Sequence, residues 1–202
     1  PSHPNVIINT HATFRWRHGL FFAFDHDQMK ALDADLYIVL VDSIDQVYRR
    51  LEQDGHHHDQ SLKDLVVWRE EEILATELLS RIVRGHGCFY ICVRGGDDLA
   101  QTLTRLLFRS QMKKAYLSFP MSHVMDLPGI LTEIEQFRRV MKRYFICFDP
   151  ADMEKEKPMA FQALEAAKEG RRSITVGDGE QRVTLETNWV LDIIPDIDGQ
   201  IY

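Results

Sequence analysis

The sequence predicts an α/β fold of two tandem units, with mostly parallel sheets flanked by helices. Three observations carry that expectation. Apolar runs of strand length alternate with helix-period stretches almost throughout the 202 residues. The run Leu36-Tyr37-Ile38-Val39-Leu40-Val41 is apolar on both faces, as a parallel strand covered by helices is. The pattern restarts after Ser110-Gln111-Met112-Lys113-Lys114, which divides the chain into units 1–110 and 111–202.

In order, Val6–Ile8 reads as a buried strand running into a polar turn, and Leu36–Val41 is the second strand. A helix follows it, with Ser43 as N-cap and Gln46 completing a capping box. Asp59 to Ile82 reads as a long helix with a stripe of Leu62, Leu65, Val66, Ile73, Leu78 and Leu79, ended by Gly85 and Gly87. Cys88–Val93 is a third strand, and Asp97 or Asp98 caps a helix through Leu99, Leu103, Leu106 and Leu107. In the second unit, Ala115–Phe119 is a strand stopped by Pro120. Leu127–Met141 is a helix with Pro128 tolerated in its first turn. Tyr144–Phe148 is the next strand, and Met159–Lys168 a helix ending at Gly170. Ile174–Val176 and Arg182–Leu185 flank Gly177-Asp178-Gly179-Glu180 as a hairpin.

Hydrophobic residues make up 45% of the chain, enough for a real core. Residues 1–110 carry 12 Lys/Arg and 16 Asp/Glu; residues 111–202 carry 12 and 15. The net charge of -7 is therefore evenly spread, with no basic stripe for nucleic acid. No apolar run reaches the roughly 18 residues of a membrane span, and no signal pattern is visible. The first residue is Pro, which suggests processing or excision from a longer protein. Cys88, Cys92 and Cys147 read as buried reduced thiols, pointing to a cytoplasmic setting.

Thr10, His11, Thr13 and Arg15 follow the first strand end, where α/β sheets bind ligands. A Thr hydroxyl and an Arg fork suit a phosphate ester, because Arg donates two parallel hydrogen bonds. The alternative is a capped turn with an exposed Arg. Arg49 and Arg50 end a helix ahead of Asp54-Gly55-His56-His57-His58-Asp59, an arrangement like a lid closing over phosphates. Adjacent His residues rarely place all three imidazoles on one metal, so a solvated loop is the plainer reading of that run. Glu70-Glu71-Glu72 reads as a solvated helix face. Gly95-Gly96-Asp97-Asp98 lacks the Lys and spacing of a phosphate loop. Ser118 and Ser122 mark a second strand end, either a ligand edge or a strand cap, with Glu133 and Glu135 on the next helix. Asp149-Pro150 reads as a turn, and nothing in the spacing fixes a geometry for Asp192, Asp196 or Asp198.

Residues 5 to about 108 resemble the C-terminal half of the archaeal-type adenylate kinases, a family of P-loop nucleoside monophosphate kinases. The resemblance rests on Asn5–Arg15 with its Thr-His-Ala-Thr turn, Leu36–Val41, the Arg49-Arg50 helix end, Asp54–Ser80 and Cys88–Val93. It implies that Arg15 holds the acceptor nucleotide's phosphate and Arg49 the transferred phosphates. The family has Asp where this chain has Asn9, and basic lid residues where it has His56, His57 and His58. His is mostly neutral near pH 7, so positive charge around a moving phosphoryl group is reduced. Residues 114–202 resemble the nucleoside 2-deoxyribosyltransferase superfamily through Lys114–Pro120, the following helix and Tyr144–Pro150. That family's Glu nucleophile falls on no residue here.

The expectation is thus a P-loop-kinase-like unit without its phosphate loop, followed by a Rossmann-like unit. The chain is expected to bind a nucleotide or nucleoside. In an intact parent protein, ATP and Mg²⁺ would support a kinase-like phosphotransferase or NTPase activity. One alternative is a non-catalytic regulatory or interaction protein on a degenerate kinase fold. Another is glycosyl transfer or hydrolysis by the second unit. A homodimer that completes the first sheet stays open.

Overall fold

The computed structural model describes residues 5–16, 19–53, 61–94, 98–119, 127–149, 152, 157–176, 182–188 and 190–191. Among them lie eight strands and six helices. The first half contains β1 (Thr13–Trp16), β2 (Gly19–Phe22), α1 (His26–Leu32), β3 (Tyr37–Val41), α2 (Ile44–Gln53), α3 (Leu62–Arg84) and β4 (Phe89–Val93). The second contains α4 (Leu99–Phe108), β5 (Lys114–Tyr116), α5 (Pro128–Tyr144), β6 (Ile146–Phe148), α6 (Lys157–Lys168), β7 (Ser173–Val176) and β8 (Val183–Glu186).

The strands form four two-stranded pairs. β1–β2 and β7–β8 are antiparallel, and β5–β6 is parallel. In β3–β4 the Tyr37 N–H donates to Cys88 O and the Arg94 N–H to Val41 O. Start meets start and end meets end, so that pair also runs parallel. The fold is mixed α/β, as the alternation predicts. Among the described residues the parallel pairing is matched by antiparallel pairing and does not dominate. By contacts the chain forms two compact units, Pro1–Val39 with Lys63–Ile91, and Leu40–Leu62 with Cys92–Tyr202.

In the first unit the strand expected over Val6–Ile8 is absent. Asn5–Thr10 lie in no strand, and Val6, Ile7 and Ile8 are 72%, 70% and 57% exposed. A strand needs a neighbour for its main-chain groups, and no described residue pairs with this segment. The strand forms later, at β1, where Gly19–Phe22 supplies the partner in the register Thr13↔Phe22 to Trp16↔Gly19. α1 is capped by the Asp25 carboxylate, which accepts from Gln28 N at 2.9 Å. α3 runs unbroken because its apolar residues recur at helical spacing, burying Leu65, Val66, Ala75 and Leu79. Leu78 departs from the expected stripe and is 51% exposed. Gly85, at φ +82, ends the helix in a conformation that costs a side chain about 1–2 kcal/mol.

In the second unit α2 starts directly after buried Ser43, whose carbonyl accepts from Val47 N at 3.1 Å. β5 and β6 pair from Lys114↔Ile146 to Tyr116↔Phe148. α5 opens on Pro128 as expected but continues to Tyr144, so Tyr144 is helical and β6 begins only at Ile146. The Arg105 side chain donates to the carbonyls of Lys142, Phe145 and Arg143 at the end of α5, which satisfies groups the helix leaves unpaired. α6 buries Ala163 and Ala166 completely. Gly170, at φ +71, then reverses the chain, with Arg171 N donating to Ala166 O at 2.8 Å. The two strands of the expected hairpin pair antiparallel as β7 and β8, with Ile174 and Leu185 buried opposite each other, and the expected turn over residues 177–180 lies outside the described residues.

Candidate functional site

The turn singled out in the sequence is built onto α3. Two adjacent carboxylates of that helix receive it. Glu72 Oε2 accepts from Ala12 N at 2.8 Å, and Oε1 accepts from Thr13 N and Thr13 Oγ1, both at 3.1 Å. Thr13 is 1% exposed, so these bonds satisfy groups that would otherwise be buried unpaired. Glu71 takes the Arg15 fork: Arg15 Nε donates to Oε2 at 2.9 Å and Nη2 to Oε1. The bond from Glu71 raises the Arg15 pKa, against burial that lowers it. Glu71 and Glu72 are therefore no solvated face, which corrects that expectation. Successive helical residues point in different directions, and here the two carboxylates reach successive parts of one strand.

Two aromatic rings lie against His11 of the turn. His11 lies 5.9 Å from the Trp68 ring and 6.0 Å from Phe14, by centroid. Its Nδ1 is 3.4 Å from Glu72 Oε1, and its side chain is 62% exposed. The Trp68 Nε1 is buried with no hydrogen-bond partner among the described residues. Thr10 is exposed and donates to the His11 carbonyl, at 3.3 Å. Thr13, His11 and Arg15 thus share one site, with Thr10 at its margin.

Arg50 and Arg49 sit on α2. Arg50 Nη2 is 2.8 Å from Asp42 Oδ2, an oxygen that also lies 3.8 Å from Arg94 Nη1. Arg49 is half-buried. His56, His57 and His58 lie outside the described residues. Among the described residues no group of three or more His, Cys, Asp or Glu is placed to hold a metal ion. The carboxylates beside Arg15 are engaged by Arg15 and by main-chain N–H groups.

A second polar cluster lies where β6 ends. Asp149, read from sequence as a turn residue, has a fully buried side chain. It accepts from Arg138 Nε at 2.6 Å and lies 3.3 Å from Lys142 Nζ. Asp152 is 3.0 Å from Lys142 Nζ and 3.5 Å from Arg138 Nη2. Burial works against the charge on Arg138, and its bond to Asp149 with the nearby carboxylates more than offsets this. Lys142 behaves alike: burial lowers its pKa, and Asp152 and Asp149 raise it above the ordinary lysine value. Burial pushes the Asp152 carboxyl up, against the pull of Lys142. Ser118 lies beyond the end of β5, which stops at Tyr116 and so falls short of the expected Phe119, and is exposed; Ser122 lies outside the described residues.

Cys92 and Cys147 are buried as expected, whereas Cys88 is only half-buried. All three are free, and burial raises the Cys92 thiol to about 11 and pushes Cys147 up as well. No family model, curated protein or solved structure matches the chain. Its function therefore rests on the residues themselves. Sequence reasoning missed Glu71, Glu72, Trp68, Arg138, Lys142 and Asp152. One signal was visible, the i,i+4 spacing of Arg138 and Lys142, which puts two cations on one face of α5.

Proposed function

We propose that the chain is a nucleotide- or nucleoside-binding protein whose phosphate contact is Arg15. The observation that carries this reading is the setting of the Arg15 fork. On the strand that follows the turn it is held by hydrogen bonds to Glu71, and on that turn His11 lies against the rings of Phe14 and Trp68. A guanidinium recognises phosphate oxygens in pairs. Aromatic faces stack on bases, worth about 1–3 kcal/mol per base. In a longer parent that supplies a phosphate loop, ATP and Mg²⁺ would make this a kinase-like or NTPase activity on nucleotides. Calorimetry with ATP, AMP and deoxynucleosides, with and without Mg²⁺, tests the reading. Heat with at least one phosphate ester is expected, and Arg15→Ala should remove it. No heat with any of them ends it.

A second reading, a non-catalytic interaction protein, has its own observation. Trp16 is 74% exposed, Phe22 67%, Phe21 60% and Phe14 50%, all on the β1–β2 hairpin. Exposed apolar patches of this kind mark surfaces that bind partners. An interaction protein should be indifferent to Arg15→Ala, so the same variant separates the two readings. Glycosyl transfer by the second unit needs a strand-end carboxylate available to Ser118. Asp149 stands at a strand end, but Arg138 and Lys142 engage it out of reach of solvent.

A further inference from the structure

We infer that Glu71 is the counterion a ligand's phosphate displaces from Arg15, so that the site selects phosphate esters over the neutral nucleoside; this rests on the nucleotide-binding reading above. The two adjacent carboxylates of α3 have different tasks. Glu72 holds the main-chain N–H groups of Ala12 and Thr13 and the buried Thr13 hydroxyl. Those bonds keep β1 on α3 whether or not Arg15 is paired. Glu71 holds the Arg15 side chain, through Nε and Nη2.

A carboxylate and a phosphate each present two oxygens to a guanidinium fork. On the Nε–Nη2 edge of Arg15, which Glu71 occupies, the two therefore compete. The Arg15 and Glu71 side chains are 30% and 20% exposed, so the exchange requires no unfolding. A phosphate monoester near pH 7 carries close to two charges, against one on Glu71. An uncharged nucleoside offers Arg15 no replacement anion and leaves the pair closed. Glu71 thus sets a threshold of charge for entry, while Glu72 keeps the turn in place for the exchange.

The test is calorimetry on the chain with AMP, inorganic phosphate and adenosine, using wild type, Arg15→Ala and Glu71→Gln. Arg15→Ala should weaken AMP binding at least about tenfold, as the loss of a charged hydrogen-bond pair does. Glu71→Gln should tighten AMP and phosphate about two- to fivefold, the scale of a part-exposed ion pair, and leave adenosine unchanged. If Arg15→Ala weakens AMP but Glu71→Gln leaves it unchanged or weaker, the counterion role is overturned and nucleotide binding at Arg15 stands. If neither wild type nor Glu71→Gln binds AMP or phosphate, both ideas fall. Should Glu71→Gln not fold, arginine-labelled NMR of the wild type decides. The Arg15 Nε–H resonance should move with AMP and stay with adenosine; a resonance that stays fixed at saturating AMP overturns the exchange.

Discussion

The Arg15–Glu71 pair and the Arg138–Asp149 pair are both arginine–carboxylate bonds, yet they differ in what surrounds them. Arg15 and Glu71 remain partly open to water, at 30% and 20% side-chain exposure. Asp149 has none, and Arg138 has 15%. In the first case solvent screens the charges, which is what the proposed exchange of the carboxylate for another anion requires. In the second the ions have been removed from water, and each depends on the others for its stability. On the proposed reading, access to water is what separates an arginine pair that can receive a ligand from one that holds the fold. It also makes the two clusters separable by mutation.

The largest expected effect is in the buried cluster. Asp149→Ala removes the fully buried carboxylate from Arg138 and Lys142 and leaves them the less buried Asp152, which should cost up to about 3–5 kcal/mol. Urea unfolding monitored by circular dichroism measures it. A loss below about 1 kcal/mol would mean that the cluster is as well solvated as the Arg15 site, and the contrast would collapse. Glu72→Ala should come next. It strands the Thr13 N–H and hydroxyl in a buried position, at about 1–3 kcal/mol. Amide hydrogen exchange should show Thr13 losing protection, with β7–β8 unaffected.

These two residues also show what the sequence conveys and what it hides. The α3 stripe was legible because Leu65, Val66 and Leu79 follow the helical period, and local periodicity needs no knowledge of distant residues. The β7–β8 hairpin was legible through its Gly-Asp-Gly-Glu punctuation between two strand-like runs. Val6–Ile8 misled because an apolar β-branched run states a preference for pairing, while the partner is a property of the whole sheet. Glu71 and Glu72 were hidden for a related reason: their partners stand 56 to 60 residues earlier in the chain. A charge on a helix is solvated unless tertiary contacts bury it. Asp149 followed the same rule, since an Asp before Pro marks a turn and gives no sign of its depth. Within the candidate site, Arg15 and Thr13 were therefore singled out from sequence, and the carboxylates that bond to them were not.

The pH dependence of the buried cluster sharpens the comparison further. The Lys142 pKa is raised in the folded state, where burial is outweighed by Asp152 and Asp149. A raised folded value means that the stabilisation is fully present below the unfolded lysine value, about 10.4, and is lost as pH rises through the folded value. The stability difference between wild type and Lys142→Met should hold constant from neutral pH to about 9 and shrink above about 10.4. A difference that shrinks instead below neutral pH would assign the linkage to the carboxylates.

The smallest effect should belong to Glu71→Gln. The Arg15–Glu71 pair is part-exposed, and such pairs contribute about 0.2–1 kcal/mol. Glu72 still holds the Ala12 and Thr13 main chain after the change, so β1 has no reason to leave α3. Thermal melting at low and high salt provides the check. The variant should melt within a few degrees of wild type, and the gap should narrow with salt, because screening acts on exposed pairs more than on buried ones. A loss as large as that of Glu72→Ala, insensitive to salt, would show Glu71 to be a tether like its neighbour. Arg15 would then lack an exchangeable partner. The distinction between an accessible arginine pair and a buried one would no longer mark the difference between a binding site and a structural joint.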